Sequence, residues 1–215
     1  MATRTPPLAP QSIRSPRLLS LLGAIAAATL SGAFLIGILG MLSSRSLASD
    51  NWLVILFNIN LRPTSTQPSA LGVVSALDVA LMLLFGIVMI ALYPALSSKS
   101  RTWAAIALTL PFLGLPLFFA TGMAGRSAVL LAGLISSLLA LRARFVRPGA
   151  AYAGALASAL LLFVGDFGTA LFPPSQLLAF PIAIGYILWI VWLLLTSVEL
   201  YSRSQPTHLP AGRAA

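Results

Sequence analysis

Residues 18–42, LLSLLGAIAAATLSGAFLIGILGML, form an apolar stretch without a single charged side chain. As a helix, these 25 residues are about 37 Å long, at about 1.5 Å per residue, and a bilayer's hydrocarbon core is roughly 30 Å thick. The apolar region of a cleavable signal peptide has only about 7–15 residues. We therefore expect a transmembrane helix that is not removed, although basic residues precede it.

Five further apolar runs follow, and the composition agrees with a chain buried largely in lipid. Hydrophobic residues make up 59% of the chain and charged residues 8%, whereas an average soluble domain has about 25% charged residues. The sequence thus predicts an all-α polytopic membrane protein with a single domain over residues 18–200. Its six helices are expected at 18–42, 70–93, 103–121, 123–141, 149–172 and 177–199.

Outside these helices we expect an outer loop at 43–69 and two disordered cytoplasmic tails, 1–17 and 201–215, rich in Pro, Ser and Arg. The loop contains the short apolar segment 52–61, which is too short to cross a bilayer and is expected at the interface. The second helix is expected to end near Tyr93 and Pro94.

The distribution of basic residues predicts the orientation, because short loops rich in Lys and Arg stay on the cytoplasmic side. With the N-terminus inside, ten of the thirteen basic residues fall inside and three, Arg45, Arg62 and Arg126, fall outside. If the short fourth segment did not cross, the count would be five inside and eight outside, so we expect it to span. Both termini are predicted to be cytoplasmic.

Several kinds of function are disfavoured by composition. The chain has no cysteine and a single histidine, His208 in the tail, so the sequence predicts no metal site and no cofactor. The net charge of +9 comes from scattered loop residues, which is not the pattern of a nucleic-acid-binding surface. The expected partner is the lipid bilayer. Twelve Arg against one Lys favour a GC-rich bacterial genome, and therefore an inner-membrane location.

The intramembrane carboxylates Asp78 and Asp166 are the leading site candidates. Each lies six or seven residues from the outer end of its predicted helix, roughly 10 Å into the hydrocarbon. A charge at this depth costs about 2.5–3.5 kcal/mol or more, so such residues are functional candidates. The small-residue stripe of the fifth helix, including Ala155 and Ser158, predicts that Asp166 faces the bundle interior. The full candidate cluster for a small solute or an ion is Asp78, Asp166, Arg126, Ser75, Thr169, Asn58 and Asn60.

Two alternatives to solute binding or transport remain open. The acids could instead fix helix packing in a structural or accessory membrane subunit, with Arg126 bridging to one of them. A membrane-embedded enzyme has less support, because no Cys, His or Lys lies in the helices to activate a nucleophile. Asp78 and Asp166 could in principle form a catalytic aspartyl dyad, in which two close carboxyl groups share a proton. However, Val-Gly-Asp166-Phe-Gly and Ala-Leu-Asp78-Val lack the signatures of intramembrane aspartyl proteases, so no catalytic residue is predicted.

The segment from Asp78 to Tyr93, followed by Leu96, Lys99 and Arg101, carries a resemblance to a known family. It resembles a bacterial group of uncharacterised six-helix integral membrane proteins, one of the domain-of-unknown-function families. In that group an Asp opens the second helix, a Tyr closes it and a short basic loop follows. The resemblance covers helices two and three and implies a six-helix topology without an assigned activity.

Overall fold

The computed structural model describes residues 15–43, 68–121, 123–168, 171 and 176–205. Within these ranges the chain is helical and has no strand. Its elements are α1 (Ser15–Ser43), α2 (Pro68–Ser97), α3 (Arg101–Thr121), α4 (Met123–Ala143), α5 (Pro148–Ala159) with the following π-helix (Leu160–Gly168), and α6 (Gln176–Ser204). Six helices are long and apolar enough to cross a membrane, which confirms the predicted all-α class and the number of spans.

Three helices extend at least three residues beyond the predicted bounds. α1 begins at Ser15 and α6 continues to Ser204, so each includes residues that were assigned to disordered tails. α2 passes through Pro94 and ends at Ser97. Its last turn is completed by local hydrogen bonds, because the Ser98 hydroxyl donates to the Ala95 carbonyl at 2.7 Å and the Lys99 amide donates to the Leu96 carbonyl at 3.1 Å. These bonds serve carbonyls of the last turn, and the single hydrogen bond that Pro94 cannot donate is lost close to the helix end.

The fifth span changes its helical type partway along. The α-helical hydrogen-bond pattern ends at Ala159, and a π-helix follows from Leu160 to Gly168, which we call the π-segment. A single uniform helix was expected over 149–172. π-Helical turns are rare, are generally short and are frequently found at functional sites. The π-segment contains Asp166, which links this irregularity to the candidate site.

The helices form a closed ring in chain order. Each span packs against the next one, and α6 closes the ring by packing along α1. The closure includes a hydrogen bond from the Ser197 hydroxyl of α6 to the Ala24 carbonyl of α1, at 2.7 Å. The π-segment packs against α4 and α6. Because α2 packs against α1, α3 and α4, it is not a ring neighbour of the π-segment.

Aromatic side chains from two helices fill the centre of the ring. Phe85 of α2 stacks on Trp189 of α6 with ring centroids 5.6 Å apart, and Trp192 lies 5.0 Å from Trp189. All three side chains are buried. Their burial makes them core packing residues, although tryptophans near a helix end are common anchors at the membrane interface.

Two glycines make room for the tryptophan rings. A Cβ atom on Gly154 of α5 would lie 2.5 Å from Trp192 Cδ1, and one on Gly133 of α4 would lie 2.6 Å from Trp189 Cζ3. Real Cβ contacts are never this short, so both positions require the absence of a side chain. Close approach through small residues is a common mode of helix packing in membranes.

The basic residues separate the two ends of the bundle. Among the described residues, Arg17, Lys99, Arg101 and the arginines of segment 142–147 lie at the end where α1 begins, together with Arg203 near the end of α6. Arg126, in the first turn of α4, lies at the opposite end. We call these the basic end and the Arg126 end.

Gly154→Ala should destabilise the protein by about 1–3 kcal/mol, because the added methyl group overpacks the contact between α5 and Trp192. Thermal unfolding in detergent measures the effect. Gly32→Ala in α1 is the matched control, since its new Cβ would meet no atom within 4 Å. Equal stability of the Gly154→Ala variant and the wild type would contradict the proposed close contact.

Candidate functional site

Asp166 and Arg126 form an ion pair at the Arg126 end of the bundle. The Arg126 Nε donates to Asp166 Oδ1 at 2.9 Å, and its Nη2 contacts the same oxygen. The neighbouring Ser127 hydroxyl donates to Asp166 Oδ2 at 2.6 Å. Both carboxylate oxygens therefore have protein donors. The Asp166 side chain is 1% exposed, whereas that of Arg126 is 23% exposed.

A tight contact between α3 and α4 holds the start of α4 in place. A Cβ atom on Gly125 would lie 2.5 Å from the Gly114 carbonyl oxygen and 2.6 Å from Phe118 Cα. A Cβ atom on Gly114 would in turn lie 2.8 Å from the Gly125 carbonyl oxygen. These two glycines let the backbones meet directly, which fixes the helical turn from which Arg126 and Ser127 extend.

The other half of the site comes from the π-segment. Gly165, Asp166 and Gly168 are buried on this segment, whereas Phe163 and Phe167 are exposed and stack on each other with centroids 6.2 Å apart. The π-segment therefore has one face toward the bundle interior and an aromatic face on the outside of the bundle. Asp166 thus reaches α4 from within the bundle.

The electrostatics of the pair follow from its burial. A carboxylate removed from water loses several kcal/mol of hydration, and a well-placed cation with further hydrogen bonds offsets that loss. Here one guanidinium supplies the opposite charge, and the Ser127 hydroxyl serves the second oxygen. Removal of one partner would leave the other charge uncompensated, which is the strongly unfavourable case.

Helix irregularities are concentrated in the same half of the bundle. α3 contains Pro111 and Pro116, α6 contains Pro181 in its early turns, and the π-segment lies between them in the chain. In lipid, backbone that departs from the regular α-helix is tolerated where it is buried in protein or lines a polar cavity. We call this part of the molecule the interrupted half.

Of the predicted candidate residues, the structure brings Asp166 and Arg126 together. The side chains of Asp78 and Ser75 in α2, and the residues Thr169, Asn58 and Asn60, lie outside the part of the chain that the structure describes. A shared site for Asp78 and Asp166 therefore stays a prediction. Because α2 is not a neighbour of the π-segment in the ring, such a pair would have to meet across the bundle.

Ser127 is a member of the site that sequence reasoning missed. Its position directly after Arg126, in the first turn of a membrane helix, was the available signal. Serine hydroxyls in membrane helices commonly donate to a polar group on a neighbouring helix. Within the described ranges, no cluster of three or more His, Asp or Glu side chains could hold a metal ion.

Comparisons of the chain with protein-family models, with curated proteins and with solved structures gave no match. The resemblance of helices two and three to the six-helix bacterial family stays a prediction. Function is therefore inferred from the geometry of the site.

Arg126→Met should destabilise the protein more than Asp166→Leu. The first change leaves a buried carboxylate without its cation, for which we expect a loss of about 3–5 kcal/mol. The second leaves a guanidinium on a flexible stem that is already partly exposed and can reach polar surroundings, so we expect about half that loss. Thermal unfolding in detergent compares the two variants.

Arg101→Met is the control, because Arg101 is exposed at the start of α3 and its loss should change stability by less than about 0.5 kcal/mol. If Asp166→Leu proved the more damaging of the two changes at the site, the assignment of Asp166 as the more deeply buried partner would be wrong.

Proposed function

We propose that this multi-pass membrane protein binds a small polar solute or an ion at the Arg126–Asp166 pair and supports its passage across the membrane. Six apolar helices are compatible with a multi-pass membrane protein. The proposal places the protein in a bacterial inner membrane with both termini in the cytoplasm. The site then lies in the outer half of the bilayer and is entered from outside.

The observation that supports this proposal is that Asp166, the buried member of the ion pair, lies on the π-segment. A purely mechanical contact between helices does not need an interrupted helix beside it. Transport proteins place substrate sites where membrane helices are broken, because the freed backbone groups can take part in binding. In this chain the π-segment, the prolines of α3 and Pro181 of α6 all lie in the interrupted half.

The geometry suggests how a ligand would engage. The Arg126 guanidinium is the more accessible partner, so a solute with a carboxylate could bind it bidentately in competition with Asp166. A proton or a metal cation could instead take the place of Arg126 on the Asp166 carboxylate. Either exchange would rearrange the contact between α4 and the π-segment. A contact with two alternative arrangements is what alternating access requires.

A structural or accessory subunit is the second candidate. The observation that favours it is the full engagement of Asp166, whose two oxygens already accept hydrogen bonds from Arg126 and Ser127. In that role the pair would lock α4 to the π-segment and present a fixed outer face to another membrane protein. Site-specific crosslinking in native membranes would then recover a partner.

Asp166→Asn and Asp78→Asn should each abolish proton-linked or sodium-linked flux in proteoliposomes while the protein still folds. A pH-sensitive dye inside the vesicles reports proton movement after an imposed sodium, lactate or glycine gradient. The amide keeps the shape of the carboxylate but removes its charge and its ability to exchange a proton. The circular dichroism and elution volume of each variant show whether it is folded.

Arg142→Gln is the control, because Arg142 is exposed at the basic end. This substitution should leave the flux unchanged. Flux in both aspartate variants equal to that of the wild type would exclude the transport mechanism. If the wild type moves no proton under any of these gradients and Asp166→Asn only lowers the unfolding temperature, the accessory role is the better account.

The orientation can be tested by labelling, because the chain has no cysteine of its own. Ser98→Cys, in the turn between α2 and α3, should react with a membrane-impermeant maleimide only after bacterial spheroplasts are permeabilised. Ser49→Cys, in the loop between the first two helices, should react in intact spheroplasts. The reverse pattern would contradict the cytoplasmic assignment of the termini.

A further inference from the structure

A cavity at the basic end has features of a binding site for a small anion. Its volume is about 490 Å³, and it lies between the α4–α5 turn and the last turns of α6. The polar residues that line it are Arg144, Arg147, Tyr152, Glu199 and Arg203. Three guanidinium groups against one carboxylate give its wall a formal charge of about +2. We call this cavity the arginine pocket.

Arg203 is held in a fixed position on one wall of the pocket. Its Nη2 donates to the Phe145 carbonyl at 3.0 Å, and its Nε donates to Glu199 Oε1 at 3.1 Å. Its guanidinium also stacks over the Phe145 ring at 3.9 Å from the centroid. These contacts leave the two N–H groups of Nη1 without a hydrogen bond in the described part of the chain. A preorganised donor pair of this kind suits a planar or tetrahedral oxyanion.

Arg144 occupies a backbone position that normally favours glycine. Its φ is 50°, in the left-handed region. The Phe145 amide donates to the Ala140 carbonyl at 3.1 Å and the Arg144 amide donates to the Leu141 carbonyl at 3.3 Å. These two bonds define a Schellman motif at the end of α4, in which glycine is the usual residue at the left-handed position. An arginine here gives up the conformational advantage of glycine and places a guanidinium group at the pocket.

The opposite wall adds two further sources of positive potential. Arg147 precedes α5, which begins at Pro148 with no acidic residue in its first turn and no side-chain cap. The positive pole of the α5 dipole is therefore not neutralised locally. The side chains of Arg144 and Arg147 are exposed and make no ion pair within the described ranges.

We propose that the arginine pocket binds a phosphate group, and that the group belongs to the headgroup of an anionic phospholipid. Guanidinium groups bind phosphate oxygens through paired hydrogen bonds, and a phosphate monoester, as in phosphatidic acid, carries a charge of about −1.5 to −2, which matches the excess on the wall. Tyr152 and Leu156 are one helical turn apart on α5 and are 62% and 52% exposed. They form an apolar strip from the pocket toward the membrane interior, along which acyl chains can lie.

Calorimetric titration of the full chain in detergent tests the proposal with two probes, short-chain phosphatidic acid and glycerol phosphate. Phosphatidic acid should bind about tenfold or more tightly than glycerol phosphate, because only the lipid gains from the apolar strip. Equal affinities would support the phosphate site but assign it to a soluble phosphate compound. Binding of neither probe would overturn the proposal.

Arg144→Gly and Arg147→Gln should each weaken the binding of phosphatidic acid by about tenfold, as expected for the loss of one charge-assisted hydrogen bond. Arg144→Gly also separates binding from folding. Glycine adopts the left-handed conformation without strain. The thermal midpoint of the Arg144→Gly variant should therefore equal or exceed that of the wild type. Unchanged affinity in this variant would overturn the role of Arg144.

Arg142→Gln is the matched control. Arg142 carries the same charge two residues from Arg144 and is exposed, but it does not line the pocket. Its loss should weaken binding by less than about twofold. A loss of affinity equal to that of Arg144→Gly would show a diffuse attraction of the basic end for anions and would contradict a defined pocket.

Discussion

The interrupted half of the bundle depends on one constraint, which is that a carboxylate buried among membrane helices needs a counter-charge. Arg126 supplies it to Asp166, and the Ser127 hydroxyl donates a hydrogen bond to the second carboxylate oxygen. Where these groups meet, α4 contacts α3 through Gly114 and Gly125, and the fifth span has changed to a π-helix before Asp166. The local irregularities of this half are therefore consistent with the placement of a single ion pair.

The two ends of the bundle use arginine for different purposes. At the Arg126 end, one arginine is largely withdrawn from water and compensates a buried acid. At the basic end, several arginines remain exposed beside a cavity and, with Arg203 fixed by Glu199 and Phe145, surround space that an anion can enter. The aromatic core of Phe85, Trp189 and Trp192 lies between them and gives the ring a packed centre.

Apolar length was enough to predict the class and the number of spans, because about 20 apolar residues per crossing is a strong physical requirement. The sequence also predicted Arg126 as the partner of an intramembrane acid, as one alternative, since Arg126 is the basic residue nearest to the depth of Asp166. The π-segment could not be predicted, because its residues have no composition that distinguishes π from α. The arginine pocket was missed because the positive-inside rule already accounts for basic residues in short loops. Only the fold shows Arg144, Arg147 and Arg203 around one cavity, and only the backbone shows that Arg144 occupies a left-handed position.

The most direct test of the central claim is the coupling between Arg126 and Asp166 in a double-mutant cycle. The unfolding free energies of the wild type, Arg126→Met, Asp166→Leu and the double variant are measured in the same detergent. If the two side chains compensate each other inside the bundle, the double variant is more stable than Arg126→Met, because no uncompensated charge remains. Additive losses, with the double variant less stable than either single variant, would contradict the account.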